Sequence, residues 1–169
     1  GAEVPIQELP YLQKKMLEVS LSMGKYSIVA TQALESMIKN PRPTRAEVSD
    51  IGNAVLDGSG AMSMSGETAY GEYPKEATVM MGKVMEFTES KRNELIHFNS
   101  LPKANSGVLK IALDLIKKAQ KAKVRAIFTF GVKIDVLKAI SSLRSNVAVV
   151  SVLDDENDVR ELGLAYGIH

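Results

Sequence analysis

Two short polar runs place side chains where they could do chemistry: Thr31-Gln32, and Ser65-Gly66-Glu67-Thr68. Each follows a short apolar run, Tyr26-Ser27-Ile28-Val29-Ala30 and Ala61-Met62-Ser63-Met64, and so stands at the end of a predicted strand. A hydroxyl at such a position can bind an anion or cap the helix that follows, and Thr31 by itself supports either reading. Ser65 lacks the surroundings of a hydrolytic nucleophile. No histidine lies near it in sequence and no Gly-x-Ser-x-Gly elbow frames it.

Other chemistries are excluded or starved of residues. The 169 residues contain no cysteine, so disulfides, thiolate metal sites and a cysteine nucleophile are ruled out. The two histidines, His97 and His169, are isolated, and neither builds a metal site. Lys+Arg 21 against Asp+Glu 20 leaves a formal charge of +1, so no global field steers the chain to nucleic acid or to an anionic membrane. The run Lys117, Lys118, Lys121, Lys123 and Arg125 reads as a solvated helix end, where cations complement the dipole. Nothing approaches a spanning apolar segment or a signal peptide, and a soluble, cytoplasmic protein is expected. The 45% apolar residues suffice for a core, and the eight methionines read as core filler.

The elements that must position the two polar runs alternate regularly. Pro5 opens a helix over Ile6, Leu9, Leu12, Met16, Val19 and Met23, and Gly24 stops it. The first strand, over residues 26–30, reads as buried on both faces. A short helix around Leu34, Met37 and Ile38 ends at Asn40-Pro41-Arg42-Pro43, and Thr44-x-x-Glu47 is a capping box opening a helix that ends at Asp57-Gly58. The second strand runs into Ser65-Gly66-Glu67-Thr68 as a polar loop, and Pro74 opens a long amphipathic helix through Phe87. Residues 91–106 read as a linker. Ser106 then caps a helix whose apolar face is Val108, Ile111, Ala112, Leu115, Ile116 and Ala119, before strand Ala126–Thr129, a break at Gly131, a helix over 134–143, strand Val147–Val152 and a final helix begun by Asp154-Asp155-Glu156. Helices alternating with short apolar strands imply parallel pairing, and ligands in such α/β folds meet the chain beyond the carboxyl ends of strands.

The ordered run Ala30-Thr31-Gln32-Ala33-Leu34-Glu35-Ser36-Met37, Pro41-Arg42-Pro43-Thr44-Arg45-Ala46-Glu47, Asp50, Asn53-Ala54-Val55-Leu56-Asp57-Gly58, Ser65-Gly66-Glu67-Thr68-Ala69 and Tyr73-Pro74-x-Glu76-Ala77 strongly resembles pyruvate kinase. The resemblance is close over residues 1 to 90 and looser to His169, where Leu162, Leu164 and Gly167 carry it. It implies an α/β chain: the last two βα units of a TIM-type barrel over residues 1–90, then part of a C-terminal parallel α/β domain over 91–169, both incomplete. Gly1-Ala2-Glu3-Val4-Pro5 resembles the stretch that follows an Arg-Gly-Asp-Leu segment in the family. The catalytic lysine, the acidic metal ligands, the potassium site and the lid domain of family members lie upstream of that point.

By the same resemblance the complete enzyme moves a phosphoryl group from phosphoenolpyruvate to ADP, with Mg and K as cofactors, and is a homo-oligomer that binds neither nucleic acid nor membrane. Thr31 contributes a hydroxyl near the substrate carboxylate and the carbon to be protonated, where it donates without adding a competing charge. Gly1 belongs to the substrate-binding stretch. Ser65 and Glu67 line the site at the end of the last barrel strand and join a proton relay through water, although Glu67 is equally expected to be structural, bonding to backbone N–H groups of the neighbouring loop. The chain alone is expected to hold no metal, to be inactive and to self-associate. Gly60, Ser63 and Tyr70 depart from the family pattern, which usually has aspartate, a bulky apolar group and lysine there, and they lend weight to the alternative of a non-catalytic ligand-binding or assembly module. Segment Thr129–Asp135 is poor in hydroxyls and carries an acid, so activation by a sugar bisphosphate is not expected there.

Overall fold

The computed structural model describes residues 3–30, 32–94 and 107–169. By contacts the chain forms two compact units, interleaved in sequence: a split unit from Gly1–Ser27 with Leu101–His169, and a central unit, Ile28–Ser100.

The central unit is built on two parallel strands, β1 (Ile28–Ala30) and β2 (Ala61–Ser63), in the register Ile28↔Ala61, Val29↔Met62, Ala30↔Ser63. Between them lie a 3-10 turn, Glu35–Ile38, and helix α2 (Arg45–Leu56). The Thr44 capping box is present in full, with the Thr44 hydroxyl accepting from Glu47 N–H and the Glu47 carboxylate accepting from Thr44 N–H. A long helix, here α4 (Pro74–Lys91), packs on α2, and the core between them gathers Leu34, Met37, Ile51, Ala77 and Met81. Met62, Met64, Met80 and Met85 pack against that cluster, so six of the eight methionines fill one core.

The central unit differs from expectation at two places. The first strand is not buried on both faces: Ile28 is 55% exposed and Ala30 is also exposed, because the helices cover only the face to which the Val29–Met62 pair belongs. The Ser65–Thr68 segment is not a simple loop, since Gly66–Ala69 forms a one-turn helix, α3. The 95–106 stretch, with most of the expected linker and the Ser106 cap, lies outside the described residues.

In the split unit, helix α1 (Leu9–Ser22) carries a proline in its first turn, Pro10 rather than Pro5, which precedes a 3-10 turn at Ile6–Glu8. Gly24 follows with φ +67, and a Cβ on it would meet Ala139 at 3.6 Å, so the helix stop also lets the chain approach α6 (Ile134–Ser142) closely. Strands β3 (Ala126–Phe130) and β4 (Ala148–Val152) pair in parallel, and helices α5 (Gly107–Lys121) and α6 pack together over the face that carries Ile127 and Val149. Phe128, Phe130 and Val152 lie on the other face and are exposed. After α7 (Glu156–Glu161), residues 167–169 run parallel to β4: Val149 N–H donates to Gly167 O, and His169 N–H donates to Val149 O. The Arg144 guanidinium sits 4.4 Å from the Tyr166 ring centroid and braces that segment.

Gly82 sits in the interior of α4, exposed, with open space where a Cβ would be. Gly82→Ala is therefore expected to stabilise the chain by about 0.5–1 kcal/mol, measured as a raised urea midpoint.

Candidate functional site

Because β1 and β2 are parallel and in register, the segments that follow them emerge at the same end of the sheet. What binds those two segments together is Glu67. Its side chain is completely buried (0% exposed), and its two oxygens are divided between the loops. Oε1 accepts the N–H of Leu34, beyond β1, at 2.9 Å, and Oε2 accepts the N–H of Ser65, beyond β2, at 2.9 Å. Burial by itself pushes the carboxyl up, but the N–H groups of Leu34, Glu67, Ser65 and Ala33 together outweigh it and hold the group below the ordinary carboxylate range. It is an ionised staple. Of the two roles expected for Glu67, this geometry supplies the structural one.

The local sequence builds the staple. Ser65 stands before α3, and its carbonyl accepts from Thr68 and Ala69 N–H and from the Thr68 hydroxyl. This single turn swings Glu67 inward while Ser65 remains outside, exposed, its hydroxyl making no hydrogen bond among the described residues. The turn needs Gly71, and Gly66 is closely overlaid by side chains. A Cβ on Gly66 would lie 2.6 Å from the Tyr70 hydroxyl and 3.0 Å from Ile38, and one on Gly71 would lie 2.6 Å from the backbone oxygen of Glu67. Glu72 N–H donates to Ile38 O at 2.8 Å and ties the turn to the 35–38 segment.

A second carboxylate organises the same segment from its other side. Glu47 Oε1 accepts Ser36 N–H at 2.7 Å, and Oε2 accepts the Ser36 hydroxyl at 2.6 Å as well as the Thr44 N–H. Burial raises its pKa, and the bonds from Ser36 and Thr44 more than reverse that, leaving it lowered. Sequence reasoning recognised the Thr44–Glu47 box but not the reach to Ser36, which no local spacing announces.

The two lowered carboxyls give a signed pH expectation. Their folded values lie below the ordinary 4.5, so their contribution is complete above that pH and is lost as the pH falls through the folded values. Urea midpoints of the central unit should hold steady from pH 7 to about 5 and fall below about 4.5.

Of the sequence-predicted residues, Ser65 and Glu67 stand together at this rim, while Thr31 and Gly1 lie outside the described residues. Among the described residues no three His, Asp or Glu groups come together as a metal site, and no helix is long and apolar enough to cross a membrane. Tyr70, which departs from the family pattern, lays its ring over Gly66 and remains 73% exposed. Away from the rim, the Tyr26 phenol is pushed up to about 12, first by burial and then by the charge of Glu161, so it stays protonated and neutral.

Compared with known proteins, residues 1–78 match the family model for the pyruvate kinase barrel domain. The chain matches a segment of pyruvate kinase. All of it aligns with the pyruvate kinase of Borreliella burgdorferi at 37% identity over 175 residues and with that of Clostridium acetobutylicum at 37% over 172. It spans 36% of the length of each of these curated relatives. The fold superposes on a crystal structure of a pyruvate kinase from Cryptosporidium parvum with a TM-score of 0.86 at 32% identity, over 99% of this chain and 35% of that one. The parallel α/β architecture is shared with the corresponding part of that pyruvate kinase.

Proposed function

We propose that this chain is the part of a pyruvate kinase that supplies two strand-end loops of the barrel mouth, residues 1–90, together with the first portion of the C-terminal domain, residues 91–169. The complete enzyme transfers the phosphoryl group of phosphoenolpyruvate to ADP, giving ATP and an enolate that is protonated to pyruvate. The observation that carries this reading is identity at 37% along the whole chain, coupled with a rim whose two loops are fixed by one buried carboxylate. The alternative of a stand-alone binding module is not favoured by relatives that match over the full chain.

In this reading the protein must hold two anionic substrates side by side and quench an enolate, so neutral donors at the rim are of use where further cations would bind the ground state too tightly. The Ser65 hydroxyl is exposed and makes no hydrogen bond among the described residues, so it is suited to donate to the substrate or to a water on the path of the proton. Thr31 supplies a second hydroxyl and Gly1 part of the substrate-binding backbone. Glu67 acts as a positioning residue, because both of its oxygens are already held by backbone N–H groups. The complete enzyme would use Mg and K, and the divalent ion, when bound, would supply positive charge to the transferring phosphoryl group. The described residues offer no clustered ligand set for a divalent ion, and the steps given to Ser65, Thr31 and Glu67 do not pass through one. The assembled enzyme is a homo-oligomer.

In a complete enzyme carrying these residues, Ser65→Ala is expected to lower turnover on the order of 10-fold with little change in thermal stability. A complete protein that forms no ATP from phosphoenolpyruvate and ADP would overturn the reading. So would Ser65→Ala retaining full turnover, as regards the role of Ser65.

A further inference from the structure

Three described residues other than glycine have a positive φ: Gln32 at 52°, Lys123 at 54° and Arg144 at 51°. Two of them have an ordinary cause. Lys123 follows α5 and donates its N–H to Gln120 O, and Arg144 follows α6 and donates to Ser141 O, so both close helices in the left-handed conformation common at helix ends. Gln32 follows a strand, and no helix end accounts for it. The split unit shows how the chain otherwise solves the same strand-to-helix turn: after β3 it uses Gly131, at φ +62, with open space around the missing Cβ. Glutamine is a poor residue for this backbone, being neither glycine nor one of the short polar types that tolerate it.

The conformation is imposed from both sides. Ala30 is held in the β1–β2 register, and immediately after Gln32 the chain plunges into the core at Ala33 and Leu34, whose N–H is fixed on Glu67. The Gln32 side chain, by contrast, is exposed at the rim and makes no hydrogen bond among the described residues. A strained backbone that keeps a Cβ, and a carboxamide with no structural duty, point to a task outside the fold.

We propose that Gln32 is a substrate-contacting residue whose carboxamide donates to an oxyanion of the bound substrate, a carboxylate or a phosphoryl oxygen. This rests on reading the rim as the substrate face of a pyruvate kinase. The amide supplies two N–H donors without a charge. It stands at the same end of the β1–β2 pair as Ser65, and glycine in its place would relieve the backbone but abolish the contact.

The test separates strain from contact. In the 169-residue chain, Gln32→Gly is expected to unfold at a higher temperature than Gln32→Ala, by roughly 1–3 °C, the reverse of the order at an ordinary φ. In a complete pyruvate kinase carrying these residues, both variants should lower kcat/KM by at least about tenfold, through the KM of phosphoenolpyruvate if the oxyanion belongs to the acid and through that of ADP if it belongs to the nucleotide. Wild-type kinetics in both variants, with Ser65→Ala still impaired, would overturn the role of Gln32 and leave the rim intact. Wild-type kinetics in all three would overturn the reading of the rim itself. An alanine variant more stable than the glycine one would remove the strain on which the inference stands.

Discussion

Glu67→Ala is expected to destabilise the central unit by about 3–5 kcal/mol, seen as a large fall in its urea midpoint. The size follows from what is left behind. The Leu34 and Ser65 N–H groups lose their acceptor inside the fold, each costing about 1–3 kcal/mol, and a side-chain-sized void opens beneath α3. Glu67→Gln separates charge from shape. It fills the space, but its NH2 faces an N–H donor, so it should also lose stability, by about 2 kcal/mol or more, and the acid-side fall in midpoint should become shallower than in the parent. A midpoint in Glu67→Ala within 1 kcal/mol of the parent would mean that the two loops are held by something else.

The second large effect is at Gly71. A methyl group there would sit 2.6 Å from the carbonyl oxygen of Glu67, a backbone atom that cannot swing aside. The α3 turn must shift, and the staple shifts with it. Gly71→Ala is expected to cost about 2–3 kcal/mol, in contrast to the gain from the same exchange at Gly82, although both are nominally small changes. In a complete enzyme the displaced Ser65 should also reduce turnover, which a purely global loss of stability would not do at temperatures well below unfolding. Unfolding midpoints of Gly71→Ala and Gly82→Ala that move together would refute the assignment of strain to this turn.

How far the sequence spoke depended on the range of the interaction. The Thr44–Glu47 box, the stop at Gly24 and the break at Gly131 are written within a few residues and were legible. So was the parallel α/β order, because short apolar runs alternated with helical periods. The Glu67 bond to Leu34 spans 33 residues and that of Glu47 to Ser36 spans 11, so both depend on tertiary approach, and only the family pattern suggested the first. Alternation within β1 could not reveal its open face, since three residues are too few for a period and Ile28 looks as buried as Val29 on composition alone. The run Thr31-Gln32 stood out by its place after a strand, but the left-handed backbone of Gln32 gave no signal. Backbone strain is invisible in a residue name, unless that residue is glycine.

The thioether-filled interior of the central unit has a consequence for how its sequence can drift. Unbranched, polarizable side chains such as Met37, Met62, Met80 and Met85 can re-thread themselves around a neighbour that has grown or shrunk, whereas the branched interior of the split unit, with Leu109, Ile116, Leu137 and Val149, has fewer ways to yield. The half of the molecule that carries the rim is thus the more forgiving of accidental change in its interior, while the short turn above it, fixed by backbone contacts and one carboxylate, is not.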